Sequence, residues 1–276
     1  MKFVSYKKGN TTGWGRLDED IIYPAKGGSL LEYIQTQDAV TYEEEGVALS
    51  DVTLTSPIPN PVRNIYCVGR NYMDHIMELN NWDEAQRRSE KIAFFTKATT
   101  TMNAPYGDIP LHEGITEKLD YEAELAIVIG KGGVNIDKES AMEHVFGYSI
   151  LNDVSARDLQ KDHLQWLKGK SLDGCAPMGP WIVTKDDIKD PHDLAIESRV
   201  NDEVRQSSNT KLMMWKIADI ISILSQGLTL LPGDIISTGT PAGVGMGMEP
   251  PQFLKEGDVV TCTIEGIGSI NNKVSK

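Results

Sequence analysis

The chain has 276 residues, a formal net charge of −13, 40% hydrophobic residues and 24% charged residues. This composition is typical of a globular protein and not of a disordered one. The negative charge argues against a nucleic-acid partner, because phosphate binding needs a basic surface. No apolar run approaches the ~20 residues that span a bilayer, and the first ten residues lack the apolar core of a signal peptide. We therefore expect a cytoplasmic protein that binds neither membranes nor nucleic acid.

The three cysteines, Cys67, Cys175 and Cys262, are far apart in the sequence. They form no closely spaced pair of the kind found in zinc sites. In a cytoplasmic protein, reduced thiols in the core are expected.

In chain order, residues 1–60 come first and predict a small N-terminal domain. Apolar residues at 20–23 are typical of a short strand, and residues 29–34 begin with a capping serine and predict a short helix. Three prolines within 57–61 remove backbone donors and disfavour helix. They predict a linker, and hence a second domain over residues 61–276.

Short apolar runs bounded by turn residues dominate the second domain and predict strands. These runs are residues 64–68, 92–95, 125–129, 181–183, 234–237 and 258–264. Helical spacing extends over residues 211–226 and is followed by Gly227, a typical helix stop. Regular βαβ alternation is absent, which argues against a doubly wound sheet, and the pattern predicts a β-rich α+β fold.

An acidic pair opens one of the predicted strands. Glu122 and Glu124 are two positions apart, so on a strand their side chains project from the same face. A hard divalent cation, which takes oxygen ligands, would relieve their repulsion. An exposed strand face accommodates the same pair without any ion, and the spacing alone leaves both interpretations open.

A third acidic position follows the apolar run 145–150. Asp153 would lie at the end of this strand, where a third carboxylate could complete one face of an octahedral metal site. Asp153 is equally a candidate cap for a helix from Ser155 onward. Arg157 and Gln160 are then either ligands of a substrate carboxylate or residues of a surface turn.

His75 and Glu78 have i,i+3 spacing, so they are neighbours if the segment is a helix. A carboxylate beside an imidazole raises its basicity and fixes its tautomer, as a general base requires. An exposed pair on a helix surface has the same spacing. The polar segment 79–91 that follows is either a mobile lid over a substrate or an insertion without a role.

Lys170 and a glycine-rich segment complete the candidates. Lys170 is either a group that neutralises an anionic substrate or a surface charge. Residues 237–245 match a dinucleotide-binding loop poorly, because Pro241 interrupts them and no βαβ setting surrounds them. A tight turn that lets the backbone approach a small ligand is the better interpretation.

In this order, the segments resemble the fumarylacetoacetate hydrolase family. The matching motifs are Gly69-Arg70-Asn71-Tyr72 with His75 and Glu78, Asp120-Tyr121-Glu122-Ala123-Glu124-Leu125, Asn152-Asp153-Val154-Ser155-Ala156-Arg157-Asp158, Lys170-Ser171 with Ala176-Pro177-Met178-Gly179-Pro180, and Thr238-Gly239-Thr240-Pro241-Ala242-Gly243-Val244-Gly245. Each motif is weak alone, but the ordered set is specific. The resemblance covers roughly residues 60–276.

The resemblance implies a Mg²⁺ or Mn²⁺ site formed by Glu122, Glu124 and Asp153. It also implies a His75–Glu78 dyad on a lid, with Lys170 as a third catalytic residue. The residues that it places near the substrate are Arg70, Tyr72, Arg157, Gln160, Lys170 and Thr240. The implied fold is the family's mixed β-sandwich roll with a small N-terminal domain, usually as a homodimer.

The implied activity is that of a hydrolase that cleaves a carbon–carbon bond in small acidic oxo acids of the acylpyruvate or fumarylacetoacetate type. In this reaction the dyad deprotonates the attacking water, and the metal charge stabilises the enolate. An oxaloacetate decarboxylase or a 2-hydroxyhepta-2,4-diene-1,7-dioate isomerase would use the same site. A catalytically silent metal-binding scaffold is the alternative that is not an enzyme.

Overall fold

Two β-sheets packed face to face form the frame of the protein, whose computed structural model describes residues 1–79 and 91–276. The strands of the described residues are β1 (Lys2–Lys8), β2 (Thr11–Asp18), β3 (Ile21–Pro24), β4 (Val47–Ala48), β5 (Thr53–Leu54), β6 (Ile65–Gly69), β7 (Ala93–Lys97), β8 (Met102–Asn103), β9 (Ile109–Pro110), β10 (Leu119–Asp120), β11 (Ala123–Ile129), β12 (Val145–Asn152), β13 (Ser155–Ala156), β14 (Ala176–Thr184), β15 (Ala195–Val200), β16 (Glu203–Asn209), β17 (Ile235–Ser237), β18 (Val259–Ile264) and β19 (Gly268–Ser275). The β-rich α+β fold predicted from the sequence is confirmed.

Helices are short and lie between the strands. The α-helices of the described residues are α1 (Leu30–Thr36), α2 (Met73–Leu79) and three more at Arg157–Asp162, Leu167–Lys170 and Ile217–Leu224. Turns of 3-10 helix lie at Leu49–Asp51, Thr99–Thr101, Ala141–His144, Lys185–Asp187, Thr210–Leu212 and Gly245–Gly247. Within the described residues, no helix has the length and apolar character needed to cross a membrane.

The larger sheet has twelve strands in the order β4-β3-β2-β1-β14-β12-β11-β17-β6-β7, with β5 beside β1 and β8 beside β14. A five-stranded sheet has the order β16-β15-β18-β19-β9, and β10 pairs with β13. Since β1 pairs with β14, residues 1–60 and 61–276 share one sheet. The proline segment between them is packed, with Ile58 fully buried. The division into two domains stays a prediction.

Strand β11 is buried on both faces, which explains its continuous apolar sequence. Leu125 and Ile127 belong to the core between the two sheets, together with Val260 of the smaller sheet. Ala126 and Val128 point to the opposite face, into a second core that includes the apolar side of α1. Apolar packing on both sides therefore fixes the position of β11 and of the residues where it begins.

Helix α1 begins after Ser29, the capping serine predicted from the sequence. The Ser29 side chain accepts a hydrogen bond from the Glu32 amide (3.2 Å), and the Glu32 carboxylate accepts one from the Ser29 amide (2.7 Å). This capping box satisfies two amides that have no partner within the helix. The helix continues to Thr36, two residues beyond the predicted segment.

The helix predicted over residues 211–226 is shorter in the structure, where only Ile217–Leu224 is α-helical. Asn71 explains the difference. Its carbonyl oxygen accepts from the amide of Met214 (2.8 Å), and its side-chain oxygen accepts from the amide of Trp215 (2.8 Å). These amides therefore bond to a distant segment instead of to a helix, which helical periodicity alone does not reveal.

The three cysteines are free and buried, as expected. Burial raises the pKa of Cys175 and of Cys262 to about 12 and holds the pKa of Cys67 well above its usual value. Because the thiolate is the reactive form, we expect the folded protein to react with no equivalents of Ellman's reagent at neutral pH. After denaturation, three equivalents should react. Fast reaction of any thiol in the folded chain would contradict this placement.

Candidate functional site

Three carboxylates converge where β11 begins and β12 ends. Glu124 lies opposite Leu151 in the antiparallel pair, and Asp153 follows β12 directly, where its amide donates to the Glu122 carbonyl (2.8 Å). The sheet register thus brings Asp153 beside the two glutamates. The ligand oxygens of Glu122, Glu124 and Asp153 lie within 4.8 Å of one another, and all three residues are buried. The shared face that alternation predicted for the glutamates is found in the structure.

Two buried cations bind this cluster directly. Lys170 Nζ donates to Glu122 Oε2 (2.6 Å) and Asp153 Oδ2 (2.8 Å), and Arg157 Nη2 lies 2.8 Å from Glu122 Oε1. Burial alone would raise the pKa of Glu122, but the charges of Lys170 and Arg157 outweigh it and hold that pKa well below its usual value. Burial would likewise lower the pKa of Lys170, but Asp153 and Glu122 keep it above its ordinary value. Glu122 and Lys170 therefore stay ionised near neutral pH.

Lys97 is a third buried cation, and it is one that the sequence analysis missed. It is the last residue of β7 and is fully buried, with its Nζ 2.7 Å from Asp153 Oδ1 and donating to the Val154 carbonyl (3.0 Å). The available signal was strand alternation, since Lys97 shares a face of β7 with Phe95, which lines the site cavity. A single lysine after an apolar run does not by itself indicate a buried functional group, so alternation was not used to place Lys97.

Glu124 differs from its two neighbours because no lysine, arginine or histidine of the described residues pairs with it. Its Oε2 accepts hydrogen bonds from the Ser237 hydroxyl and from the Gly239 amide (2.8 Å). Burial, followed by the charges of Asp153 and Glu122, raises the pKa of Glu124 well above its usual value. Without an added positive charge this carboxyl therefore favours its neutral form, and a divalent cation on the carboxylate oxygens would stabilise its ionised form. The residues present fit such an ion.

Helix α2 carries the predicted acid–base pair. The Nδ1 atom of His75 lies 2.7 Å from Glu78 Oε1, and His75 is buried at 6% exposure. With the proton on Nδ1, this contact leaves Nε2 free to accept a proton. The other oxygen of Glu78 accepts a hydrogen bond from the Gly243 amide (2.7 Å). The His75–Glu78 pair is thus largely buried and is not an exposed pair on a helix surface.

These groups meet around one cavity of about 560 Å³. Of the residues predicted from the sequence, its lining includes Arg70, His75, Glu122, Glu124, Arg157, Gln160, Lys170 and Thr240. Asp153 and Glu78 contact lining residues, Lys170 and His75 respectively. Phe95, Trp166 and Phe253 add apolar surface. Anionic, cationic and imidazole groups therefore share one cavity with an apolar wall.

Arg70 and Gln160 lie on this wall with defined neighbours. The guanidinium of Arg70 lies over the indole ring of Trp166, 5.7 Å from its centroid. The side-chain oxygen of Gln160 accepts a hydrogen bond from Arg157 Nη1 (3.1 Å). Both side chains are placed where they can contact a small anion.

Tyr72 and Thr240 are placed less favourably for binding a substrate. Tyr72 is 1% exposed and is not among the residues that line the site cavity, but it lines a separate small cavity together with Ala242. The Thr240 hydroxyl lines the site cavity, but it donates to the Ala123 carbonyl (2.9 Å) and accepts from Gln206 Nε2 (2.7 Å). Thr240 therefore ties the glycine-rich segment to β11. For Tyr72, substrate binding stays a prediction that its position does not support.

The segment predicted as a lid begins at Leu79, the last residue of α2, which lines the cavity. Residues 80–90 of that segment lie outside the described residues. The prediction of a lid stays a prediction.

Comparison with known proteins agrees with this architecture. Residues 64–275 match the model described as fumarylacetoacetate (FAA) hydrolase C-terminal, and residues 1–57 match the model described as Rv2993c-like, N-terminal. The oxaloacetate tautomerase YisK of Bacillus subtilis (strain 168) is 50% identical over 228 residues, which are 82% of this chain and 74% of the relative.

Two solved structures extend the comparison over the whole chain. The fumarylacetoacetate hydrolase EaFAH of Exiguobacterium antarcticum has a TM-score of 0.91 at 45% identity and covers 100% of this chain and 99% of its own. The 2-hydroxyhepta-2,4-diene-1,7-dioate isomerase of Mycobacterium marinum has a TM-score of 0.77 at 31% identity, with 100% and 98% covered. The match over most of the chain, the shared fold and the ordered motifs show that this protein belongs to the fumarylacetoacetate hydrolase family.

Proposed function

We propose that the protein is a divalent-metal-dependent enzyme that interconverts the enol and keto forms of oxaloacetate. The observation that carries this proposal is that His75 of the His75–Glu78 pair lines the same cavity as Glu122 and Glu124 of the three-carboxylate cluster. Keto–enol exchange needs a group that moves a proton at the carbon beside the carbonyl. It also needs positive charge at the oxygen where the enolate develops. The tautomerase from Bacillus subtilis supports the choice of substrate.

Glu122, Glu124 and Asp153 are the residues that would hold the cation. Their carboxylate oxygens suit hard divalent ions, of which Mg²⁺ and Mn²⁺ are the expected choices. When bound, such an ion acts as a Lewis acid that stabilises negative charge on the substrate oxygens. Lys170 and Lys97 contact the two oxygens of Asp153 and so fix its orientation.

The two carboxylates of oxaloacetate need cationic or amide donors. The three guanidinium nitrogens of Arg157 are directed to Asp120, Glu122 and Gln160. Because the Gln160 oxygen faces Arg157, its amide nitrogen is left to donate into the cavity. Arg70 lines another part of the wall and supplies a second cation. One end of a dicarboxylate would therefore contact Gln160 and Arg157, and the other Arg70.

His75 would carry the proton between carbon and oxygen. With its Nδ1–H held by Glu78, Nε2 takes the proton from C3 of the keto form, and Glu78 stabilises the imidazolium that results. The imidazolium then returns the proton to the oxygen, which completes the enol. The reverse order gives the keto form, so no proton is gained or lost overall. The burial of His75 limits proton exchange with solvent during this transfer.

Hydrolysis of an acylpyruvate is the second candidate, and it is the reaction that the sequence analysis favoured. The similarity to EaFAH supports it. Here His75 Nε2 would deprotonate a water, which attacks the distal carbonyl, and cleavage of the carbon–carbon bond would release pyruvate and a carboxylic acid. The two candidates share every site residue and differ in whether a water attacks.

A parallel assay separates the candidates. Metal-stripped protein, with Mg²⁺ or Mn²⁺ restored, is given freshly dissolved enol oxaloacetate and, separately, acetylpyruvate. Faster loss of the enol absorbance without pyruvate supports the tautomerase. Pyruvate and acetate from acetylpyruvate support the hydrolase, and pyruvate with carbon dioxide from oxaloacetate supports a decarboxylase. No metal-dependent turnover of either compound would refute both candidates.

Glu124→Gln should weaken divalent-metal binding at least about tenfold, which corresponds to about 1.4 kcal/mol. The amide oxygen can still accept from Ser237 and Gly239, so the change removes mainly the charge. Isothermal titration calorimetry with Mn²⁺ measures the affinity. The metal-free variant should be at least as stable as the wild type, because burial and the charges of Asp153 and Glu122 disfavour a charge at this position and the amide carries none.

Glu45→Gln is the matched control, because Glu45 is exposed and far from the cluster in sequence and fold. It should leave Mn²⁺ affinity unchanged. Equal affinity in Glu124→Gln and wild type would remove Glu124 from the metal site.

His75→Asn should lower turnover of oxaloacetate about 10²-fold or more while Mn²⁺ affinity is retained, because it removes the proton carrier and no carboxylate ligand. Steady-state kinetics and calorimetry measure the two quantities. His163→Asn, at an exposed histidine outside the cavity lining, is the control and should retain full activity. Undiminished turnover in His75→Asn would exclude the dyad from the mechanism.

A further inference from the structure

The two oxygens of Glu78 have different partners. Oε1 contacts the His75 imidazole (2.7 Å), whereas Oε2 accepts the amide proton of Gly243 (2.7 Å). A carboxylate held at both oxygens has little rotational freedom. The position of His75 therefore depends on a segment that is about 165 residues away in sequence.

Gly247 lies directly against the same carboxylate. A Cβ atom on Gly247 would lie 2.7 Å from Glu78 Oε2, 2.8 Å from its Cδ and 2.9 Å from its Cγ. Its backbone is in a 3-10 turn and outside the left-handed region. Glu78, and not the backbone conformation, is thus the reason that a side chain does not fit here.

Two neighbouring glycines of the loop differ in this respect. Gly243 has φ +107°, and a Cβ on it would lie 2.0 Å from the Arg205 carbonyl oxygen. A Cβ on Gly245 would lie 1.9 Å from the Gln252 carbonyl oxygen. Replacing either would therefore disturb the backbone of the loop itself, so Gly247 is the position where the contact with Glu78 can be tested separately.

The loop is fixed on its other side by Asp120, which is fully buried. Asp120 accepts from the amides of Gly245 (2.8 Å) and Met246 (3.0 Å), and it also accepts from Arg157 Nε (2.8 Å). One carboxylate therefore orients both the loop and the arginine that pairs with Glu122.

We propose that residues 243–247 form a glycine seat that receives Glu78 and so positions His75 in the cavity, with Gly247 and Gly243 as its positioning residues. This inference rests on the proposed function, because it concerns the same acid–base pair. The seat holds the Glu78 carboxylate by the Gly243 amide, and the missing side chain of Gly247 leaves the room that the carboxylate occupies. Asp120 fixes the position of the seat relative to Arg157, because it accepts hydrogen bonds from both.

Gly247→Ala tests the seat through kinetics. The added methyl group displaces the Glu78 carboxylate, so kcat for oxaloacetate should fall about 10- to 100-fold. KM and Mn²⁺ affinity should change less than about twofold, since the metal ligands and Arg70 are untouched. Gly133→Ala is the matched control: its Cβ would be similarly close, 3.0 Å from side-chain atoms of His144 and Ile136, but outside the cavity lining. It should retain kcat.

A double-mutant cycle shows whether the effect passes through Glu78. In a Glu78→Ala background, Gly247→Ala should lower kcat no further, because the side chain that it displaces is gone. An additional loss of the same size as in the wild type would overturn the proposal, since the glycine would then act by another route.

Amide exchange tests the seat without any turnover. The Gly243 amide, observed in protein labelled with ¹⁵N-glycine, should exchange at least about tenfold faster in Glu78→Ala and in Gly247→Ala than in wild type. Unchanged exchange in Glu78→Ala, which does not depend on how Gly247→Ala folds, would overturn the seat. If the wild type turns over neither substrate, the proposed function fails, and the exchange rates still decide the positioning role.

Discussion

The placement of charge among buried side chains is the constraint on which the site depends. Four carboxylates (Asp120, Glu122, Glu124 and Asp153) and three cations (Lys97, Arg157 and Lys170) are buried within one hydrogen-bonded cluster. An isolated buried charge costs several kcal/mol, so each cation must be placed to satisfy a carboxylate. Among the four carboxylates, only Glu124 lacks an ion pair with a cation of the described residues. At Glu124 the folded chain keeps a carboxyl whose ionised form is not paired with a cation of the described residues, and a divalent cation would supply that charge.

Two kinds of support hold the groups of the site. The three clustered carboxylates stand at the ends of β11 and β12, which are fixed by packing on both faces of the large sheet. The acid–base pair stands on a short helix, α2, whose position depends on hydrogen bonds to other segments. Asn71 bonds to the segment around Trp215 and to the Thr238 carbonyl, and Glu78 bonds to the loop at Gly243. The carboxylate cluster is thus built into the sheet, whereas the His75–Glu78 pair is held by a few hydrogen bonds from other segments.

Local periodicity explains what the sequence could predict. Alternation along a strand placed Glu122 with Glu124, and helical spacing placed His75 beside Glu78, because each relation involves neighbours in one element. What was missed depends on pairings between distant segments. Lys97 reaches Asp153 from β7, and Asn71 takes the amides that would have extended the helix before Ile217. Asp120 was noted only as part of a motif, since nothing near it indicates that it holds both Arg157 and a loop more than a hundred residues away.

The pairing of β1 with β14 has a consequence for how the chain can be divided. Two family models meet near residue 60, and such a boundary suggests that either part can be expressed alone. Phe3, however, pairs with Ile182 of β14 and is packed in the same core as Val128 of β11. Without the first 57 residues, β14 would become an open edge with unpaired backbone groups and uncovered apolar side chains, a surface that invites aggregation. The N-terminal residues therefore supply strands that continue the large sheet beyond β14. A chain without them would lose part of its core and should not be treated as a smaller, intact version of the protein.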